Sequence, residues 1–138
     1  MTELCRPSSS TFDWADLWHT GLAPLVIERS AATQDRKYEP YLARLREFLA
    51  NCPRLPDGTL YRPRGRLMAD DPYMVVPYFV RQYRATGDGL HLDDAVQQVL
   101  GSKRVLFDSE RGLHRHAWDV KRQQPLEKHL LCCTALST

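Results

Sequence analysis

Two short runs of this chain occur twice at one spacing. Ala32-Thr33-Gln34-Asp35 returns as Ala85-Thr86-Gly87-Asp88, and Leu60-Tyr61-Arg62 returns as Leu113-His114-Arg115, each 53 residues later. A helix is predicted after each copy of the first run, and each copy of the second leads to an aspartate, Asp70 and then Asp119. A period of this length belongs to arrays of helical hairpins. One such hairpin cannot bury its apolar face alone and must stack on neighbours. Chance similarity of short turn signals is the alternative reading, because each copy is only a few residues long. If the repeat holds, Asp70 and Asp119 take equivalent places, each at the start of an odd-numbered helix and at the same end of the array. Two carboxylates at one mouth are the equipment of acid–base glycoside chemistry.

The apolar periodicity agrees with hairpins. Between Phe12 and Thr33, residues Trp14, Leu17, Trp18, Leu22, Leu25 and Val26 recur at spacings of three and four, as on an amphipathic helix. Gly21 and Pro24 inside that stretch predict a kink or two shorter helices. Ser10 and Asp13 form a capping-box pattern ahead of it. A second helix opens at Glu39-Pro40, presents Leu42, Leu45, Phe48, Leu49 and Cys52, and stops at Pro53. Pro56-Asp57-Gly58 is a turn. A third helix starts at Asp70-Asp71-Pro72, with the acidic pair as its cap, and runs to Gly87 with a bend at Pro77. A fourth spans about Leu92 to Phe107, with Leu92, Ala95, Val96, Val99 and Leu100 on one face and Asp93 and Asp94 suited to its N-terminal dipole. Leu113 to Asp119 carries no helical stripe. With no alternation of strand and helix and no convincing strand, the predicted class is all-α.

Composition excludes several alternatives. In 138 residues, Lys and Arg number 19 and Asp and Glu 17, a net charge of +2. That excess gives no argument for nucleic acid or an anionic membrane. No apolar run reaches the ~18 residues that would cross a bilayer, and no signal peptide is visible, so the expected compartment is the cytoplasm. Cys5, Cys52, Cys132 and Cys133 show no CxxC spacing and read as four reduced thiols. His114 and His116, two apart, could share a face, but without a third ligand at suitable spacing no metal site is expected. Trp14 and Trp18 are core positions or an aromatic sugar platform. Tyr73, Tyr78 and Phe79 read as core. Arg62, Arg64 and Arg66 form a solvated loop or attract an anionic ligand.

Three segments then resemble a known family. Leu67-Met68-Ala69-Asp70-Asp71-Pro72-Tyr73-Met74-Val75-Val76-Pro77 resembles the segment W-V-D-x-x-Y-M-x-x-P of glycoside hydrolase family 105, the unsaturated rhamnogalacturonyl hydrolases, relatives of the family 88 unsaturated glucuronyl hydrolases. Thr86-Gly87-Asp88 with Leu92-Asp93-Asp94-Ala95 resembles T-G-D-x-x-Y-L-D-x-A. Residues 106–119, ending in His116-Ala117-Trp118-Asp119, resemble L-F-D-x-x-x-G-L-x-x-H-x-W-D. The three motifs occur in order over about residues 57–125. Met68 stands where the family has Trp and Ala69 where it often has Val. Residues 126–138 do not resemble it.

The resemblance implies helical hairpins forming the first part of a six-hairpin α/α toroid. At an offset of 53 residues a full ring needs more than twice the 138 present. The expected organisation is a flexible N-terminus (1–10), a partial, truncated toroid domain (11–125) and a divergent tail (126–138), with an open edge through which the chain could self-associate. The implied substrate is an oligosaccharide ending in a 4,5-unsaturated uronic acid, as pectin lyases produce. The implied reaction is hydration of the double bond without a cofactor. Asp119 matches the general acid/base and Asp70 the second essential aspartate. His116 and Trp118 belong to the sugar subsite, where a Trp face suits a pyranose and a His can bond a hydroxyl or the uronate. The reading from another class is a non-catalytic helical-hairpin module.

Overall fold

The computed structural model describes residues 17–126 and the backbone of strand residues Leu130 and Leu131. The flexible N-terminus, the Ser10 capping box, Trp14, Cys5, Cys132, Cys133 and nearly all of the tail lie outside the described residues. Four α-helices follow in order: α1 (Ala23–Thr33), α2 (Glu39–Asn51), α3 (Asp71–Thr86) and α4 (Leu90–Leu106). A 3-10 turn over Leu17–Thr20 precedes α1. The expected break around Gly21 is therefore real. Thr20 Oγ1 donates to the Leu17 carbonyl at 2.6 Å and Gly21 N–H to that of Trp18 at 3.0 Å, which closes the turn. Pro24 then sits in the first turn of α1, where it lacks no needed donor.

Both copies of the first repeated run close a helix in the same way. Gln34 and Gly87 are left-handed, at φ 56° and 74°. Their N–H groups bond the carbonyls of Ser30 and Tyr83, four residues back, at 2.8 and 2.7 Å. Thr33 and Thr86 hydroxyls bond the carbonyls of Arg29 and Gln82 at 2.7 and 2.8 Å. Asp35 and Asp88 then accept the N–H of the residue two further on, both at 3.0 Å, and launch the next helix. The two runs therefore share one local structure, a left-handed helix end followed by an aspartate turn.

The structure corrects the reading of the connecting segments. Six strands of two or three residues form two small antiparallel sheets: β1 (Arg66–Met68), β4 (Ala117–Asp119) and β5 (Gln124–Pro125) in one, β2 (Phe107–Asp108), β3 (Leu113–Arg115) and β6 (Leu130–Leu131) in the other. Such strands are too short to show a two-residue alternation. Asp119 consequently ends a strand, not the start of a helix. The helical class stands, with these sheets as inserts between hairpins.

The main core joins Leu17, Ile27, Leu42, Leu45, Leu49, Val75, Tyr78 and Phe79. It is the predicted face of α2 meeting α1 and α3. Tyr78 and Phe79 are buried as expected, whereas Tyr73 is 47% exposed. The predicted face of α4 is displaced. Val96 and Leu100 are 57% and 52% exposed, and the helix turns Ala95, Gln98, Gly101, Ser102 and Leu106 inward. Gln98 is buried because it satisfies a turn: Leu60 N–H donates to its Oε1 at 2.7 Å and its Nε2 donates to the Gly58 carbonyl at 3.2 Å. A buried backbone N–H without such a partner would cost about 1–3 kcal/mol.

Candidate active site

The site is organised by the β1–β4 pair. Arg66 lies opposite Asp119, Leu67 opposite Trp118 and Met68 opposite Ala117. The Ala69 N–H donates to the His116 carbonyl at 2.9 Å, and the Val120 N–H to that of Gly65 at 2.9 Å, extending the ladder at both ends. Two of the motif segments are thereby zipped together. His116 is brought level with the residue before Asp70. Asp119 sits at the other end of the ladder, so its backbone lies four residues, at most roughly 13 Å, along the strand direction from Asp70.

Asp119 is half-buried, and its Oδ1 accepts the N–H groups of Lys121 and Arg122, both at 2.9 Å. This Asx turn fixes the carboxylate. Oδ2 faces Arg122 Nε only at 3.9 Å. Trp118 points to the opposite side of the strand. It packs on Leu67, Ala69 and Leu106, with the Arg115 guanidinium 5.8 Å from its ring centre.

Asp70 stands at the N-cap position of α3, yet its side chain makes no capping bond. The carboxylate is instead 36% exposed, with Oδ1 3.2 Å from Arg62 Nη2. Its neighbour Asp71 is buried. Asp71 Oδ1 accepts Arg62 Nε–H at 2.8 Å and its Oδ2 accepts the Met68 N–H at 2.8 Å. Burial pushes the Asp71 carboxyl up to about 6, while the Arg62 guanidinium and the Met68 N–H pull the other way. Arg62 is thus turned inward, whereas Arg64 and Arg66 are exposed. Sequence reasoning gave Asp71 only a capping role and Arg62 a place in a solvated loop or in attracting an anion, not a contact with the acid pair. The adjacency of two acids four residues after the last of three alternating arginines was the available signal.

Trp18 is 56% exposed, which removes it from the core. The Arg62 guanidinium lies 6.0 Å from its ring centre. The indole therefore stands beside the guanidinium that meets Asp70. His114 is buried against Phe107, with ring centres 5.1 Å apart and, among the described residues, no hydrogen-bond partner for Nε2. Burial, and then the Lys103 charge, hold its pKa below the ordinary value. Cys52 is also buried, its thiol pushed up to about 12 by desolvation, which makes it a poor nucleophile. Among the described residues, no three His, Cys, Asp or Glu side chains gather as a metal site, and no helix is long and apolar enough to cross a membrane.

Stacked helical hairpins with short antiparallel strands inserted between them are the architecture of the α/α-toroid glycoside hydrolases. The chain belongs to Glycosyl Hydrolase Family 88, whose family model matches residues 15–130. A glycoside hydrolase of family 105 from C. acetobutylicum superposes with a TM-score of 0.72 at 22% identity, covering 88% of this chain and 34% of that one. A possible family 105 member from Klebsiella pneumoniae gives a TM-score of 0.64 at 19% identity, covering 77% of this chain and 30% of the other. A possible member from Salmonella enterica gives 0.58 at 22% identity, covering 70% and 27%. These likenesses establish the fold. The chain spans about a third of the length of the solved structures it matches. No curated protein matches it.

Proposed function

We propose that this chain carries the acid–base part of an unsaturated uronyl hydrolase site, acting in the cytoplasm on pectin-derived oligosaccharides with a terminal 4,5-unsaturated uronic acid, of the rhamnogalacturonyl type. The observation that carries the reading is the β1–β4 ladder, which joins the Asp70 and Asp119 segments through paired backbone bonds. Asp119 protonates the double bond and then helps to activate the water that adds across it. The hemiketal so formed opens and releases the sugar. The two N–H bonds to Asp119 Oδ1 leave Oδ2 as the oxygen to carry that proton. Asp70, half-exposed and not engaged in capping, orients substrate or water. His116 contributes to the sugar subsite beside Asp70, and Trp118 backs it. The exposed Trp18 ring offers a pyranose-stacking face beside Arg62.

The test is turnover of an unsaturated uronyl disaccharide, followed by loss of the ultraviolet absorbance of its double bond. Wild type should consume it, and Asp119→Asn should lose activity by about 100-fold or more with an unchanged circular dichroism spectrum. If neither protein consumes it although both are folded, the enzyme reading of this chain fails. The second reading is then favoured, a non-catalytic hairpin module associating through exposed Leu90, Val96 and Leu100 on α4.

A further inference from the structure

Arg62 stands between two carboxylates that it does not hold equally. The buried one, Asp71, takes the Nε–H at 2.8 Å and is itself anchored by the Met68 N–H. The half-exposed one, Asp70, receives a single Nη2 contact at 3.2 Å. Asp70 Oδ2 has no hydrogen-bond partner among the described residues. A guanidinium beside a lone carboxylate settles into the two-point fork–fork pair, which occupies both carboxylate oxygens. Here the Nε–H is already taken by Asp71, which closes the side-on Nε–Nη2 pairing to Asp70.

We propose that Asp71 is a positioning residue that holds Arg62 by its Nε edge and so keeps one oxygen of Asp70 open to the site. The arrangement splits one arginine between an anchoring acid and a working acid. Its anchor at Met68 belongs to β1, so the same acid ties the guanidinium to the strand that pairs with the Asp119 segment. Asp71 touches no substrate in this scheme and acts only through Arg62. The significance for catalysis rests on the role proposed above for Asp70, but the Arg62 geometry does not.

The experiment compares wild type, Asp71→Leu and Asp71→Asn. Leucine removes every acceptor, whereas the asparagine amide oxygen can still take the Nε–H. Hydrogen exchange of the Arg62 Nε–H, read by ¹⁵N-resolved NMR, should be slow in wild type, at least about ten-fold faster in Asp71→Leu and intermediate in Asp71→Asn. Crystal structures should show Arg62 turned onto both Asp70 oxygens in Asp71→Leu. Unchanged exchange, or an Asp70 contact that stays single in Asp71→Leu, overturns the proposal. If Asp71→Leu does not fold, exchange in Asp71→Asn decides, and equality with wild type overturns it. Kinetics add an independent arm. Asp71→Leu should lower kcat about ten-fold or more with little change in KM, and Asp71→Asn should recover part of it. A wild type without turnover sinks the functional reading and leaves the Arg62 result standing, whereas turnover with unaltered kcat in Asp71→Leu overturns the positioning role.

Discussion

Gly101 of α4 lies directly on Thr59: a Cβ placed at 101 would come within 1.6 Å of the Thr59 hydroxyl oxygen. Thr59 is fully buried, in the turn that Gln98 also holds. No rotamer adjustment of a buried side chain clears so close an approach. Gly101→Ala should therefore destabilise the fold by about 2–3 kcal/mol, the overpacking cost exceeding the ~1 kcal/mol of helix propensity gained. Denaturant unfolding measures this directly. Thr59→Ala in the same background should restore much of the loss, and strict additivity of the two changes would show that they do not share this contact.

Gln34 repeats the left-handed role that Gly87 fills in the second hairpin, but with a side chain. A non-glycine residue there bears a steric cost of about 1 kcal/mol. Gln34→Gly should raise stability by about 0.5 kcal/mol at most, once glycine's larger unfolded-chain entropy is subtracted from the relieved strain. Gly87→Gln should lower it by a similar amount. Thermal melts of the two variants, moving in opposite directions, check the equivalence of the two helix ends.

The buried acid and the buried histidine set opposite pH trends. Asp71 has a raised folded-state pKa of about 6. Its contribution is fully present below the unfolded carboxyl value near 3.8 and is lost as pH rises toward 6. The amount is on the order of 3 kcal/mol. His114 has a lowered pKa, so its contribution is present above the ordinary histidine value of 6.5 and declines as pH falls below it. Urea unfolding from pH 4 to 8 should show the Asp71→Asn variant gaining on wild type between pH 4 and 6. A parallel pair of curves across that window would remove Asp71 as its source.

Trp18 presents its ring to solvent beside Arg62, so it contributes little to packing. Trp18→Ala should leave the melting temperature within about 2 °C of wild type. KM for an unsaturated uronyl disaccharide should rise about ten-fold, the loss of one stacking face. A large fall in melting temperature would instead make Trp18 part of the fold.

The helices were legible because their signals are local. Proline at the first turn of α1, α2 and α3, left-handed ends and apolar faces spaced by three and four all lie within one element. The face of α4 was misread because apolar periodicity ranks Val96 and Leu100 above Gln98. Gln98 wins the interior through a turn 38 residues away, which no window on the helix contains. The strands escaped notice because each is shorter than the pattern that announces one. The family motifs offered Asp70, His116, Trp118 and Asp119 as candidates, and the β1–β4 ladder pairs the segments that carry them. The forked contact of Arg62 is tertiary, and only the acid doublet Asp70-Asp71 hinted at it.

The strand pair that joins Arg66 to Asp119 closes a loop of 53 residues, and the α3–α4 hairpin fills that loop. Bringing such distant ends together is entropically costly until the hairpin has already drawn them close. The chemistry of the site is therefore acquired late in the maturation of the chain. A nascent polypeptide exposes Asp70 well before Asp119 has emerged to join it. The same economy works in reverse: a ladder three residues long is the first long-range connection to part under thermal agitation. Its amides are expected to exchange with solvent well before those of Leu45 or Val75 in the core, so that the Asp70 and Asp119 segments can part while the helices beneath them remain folded.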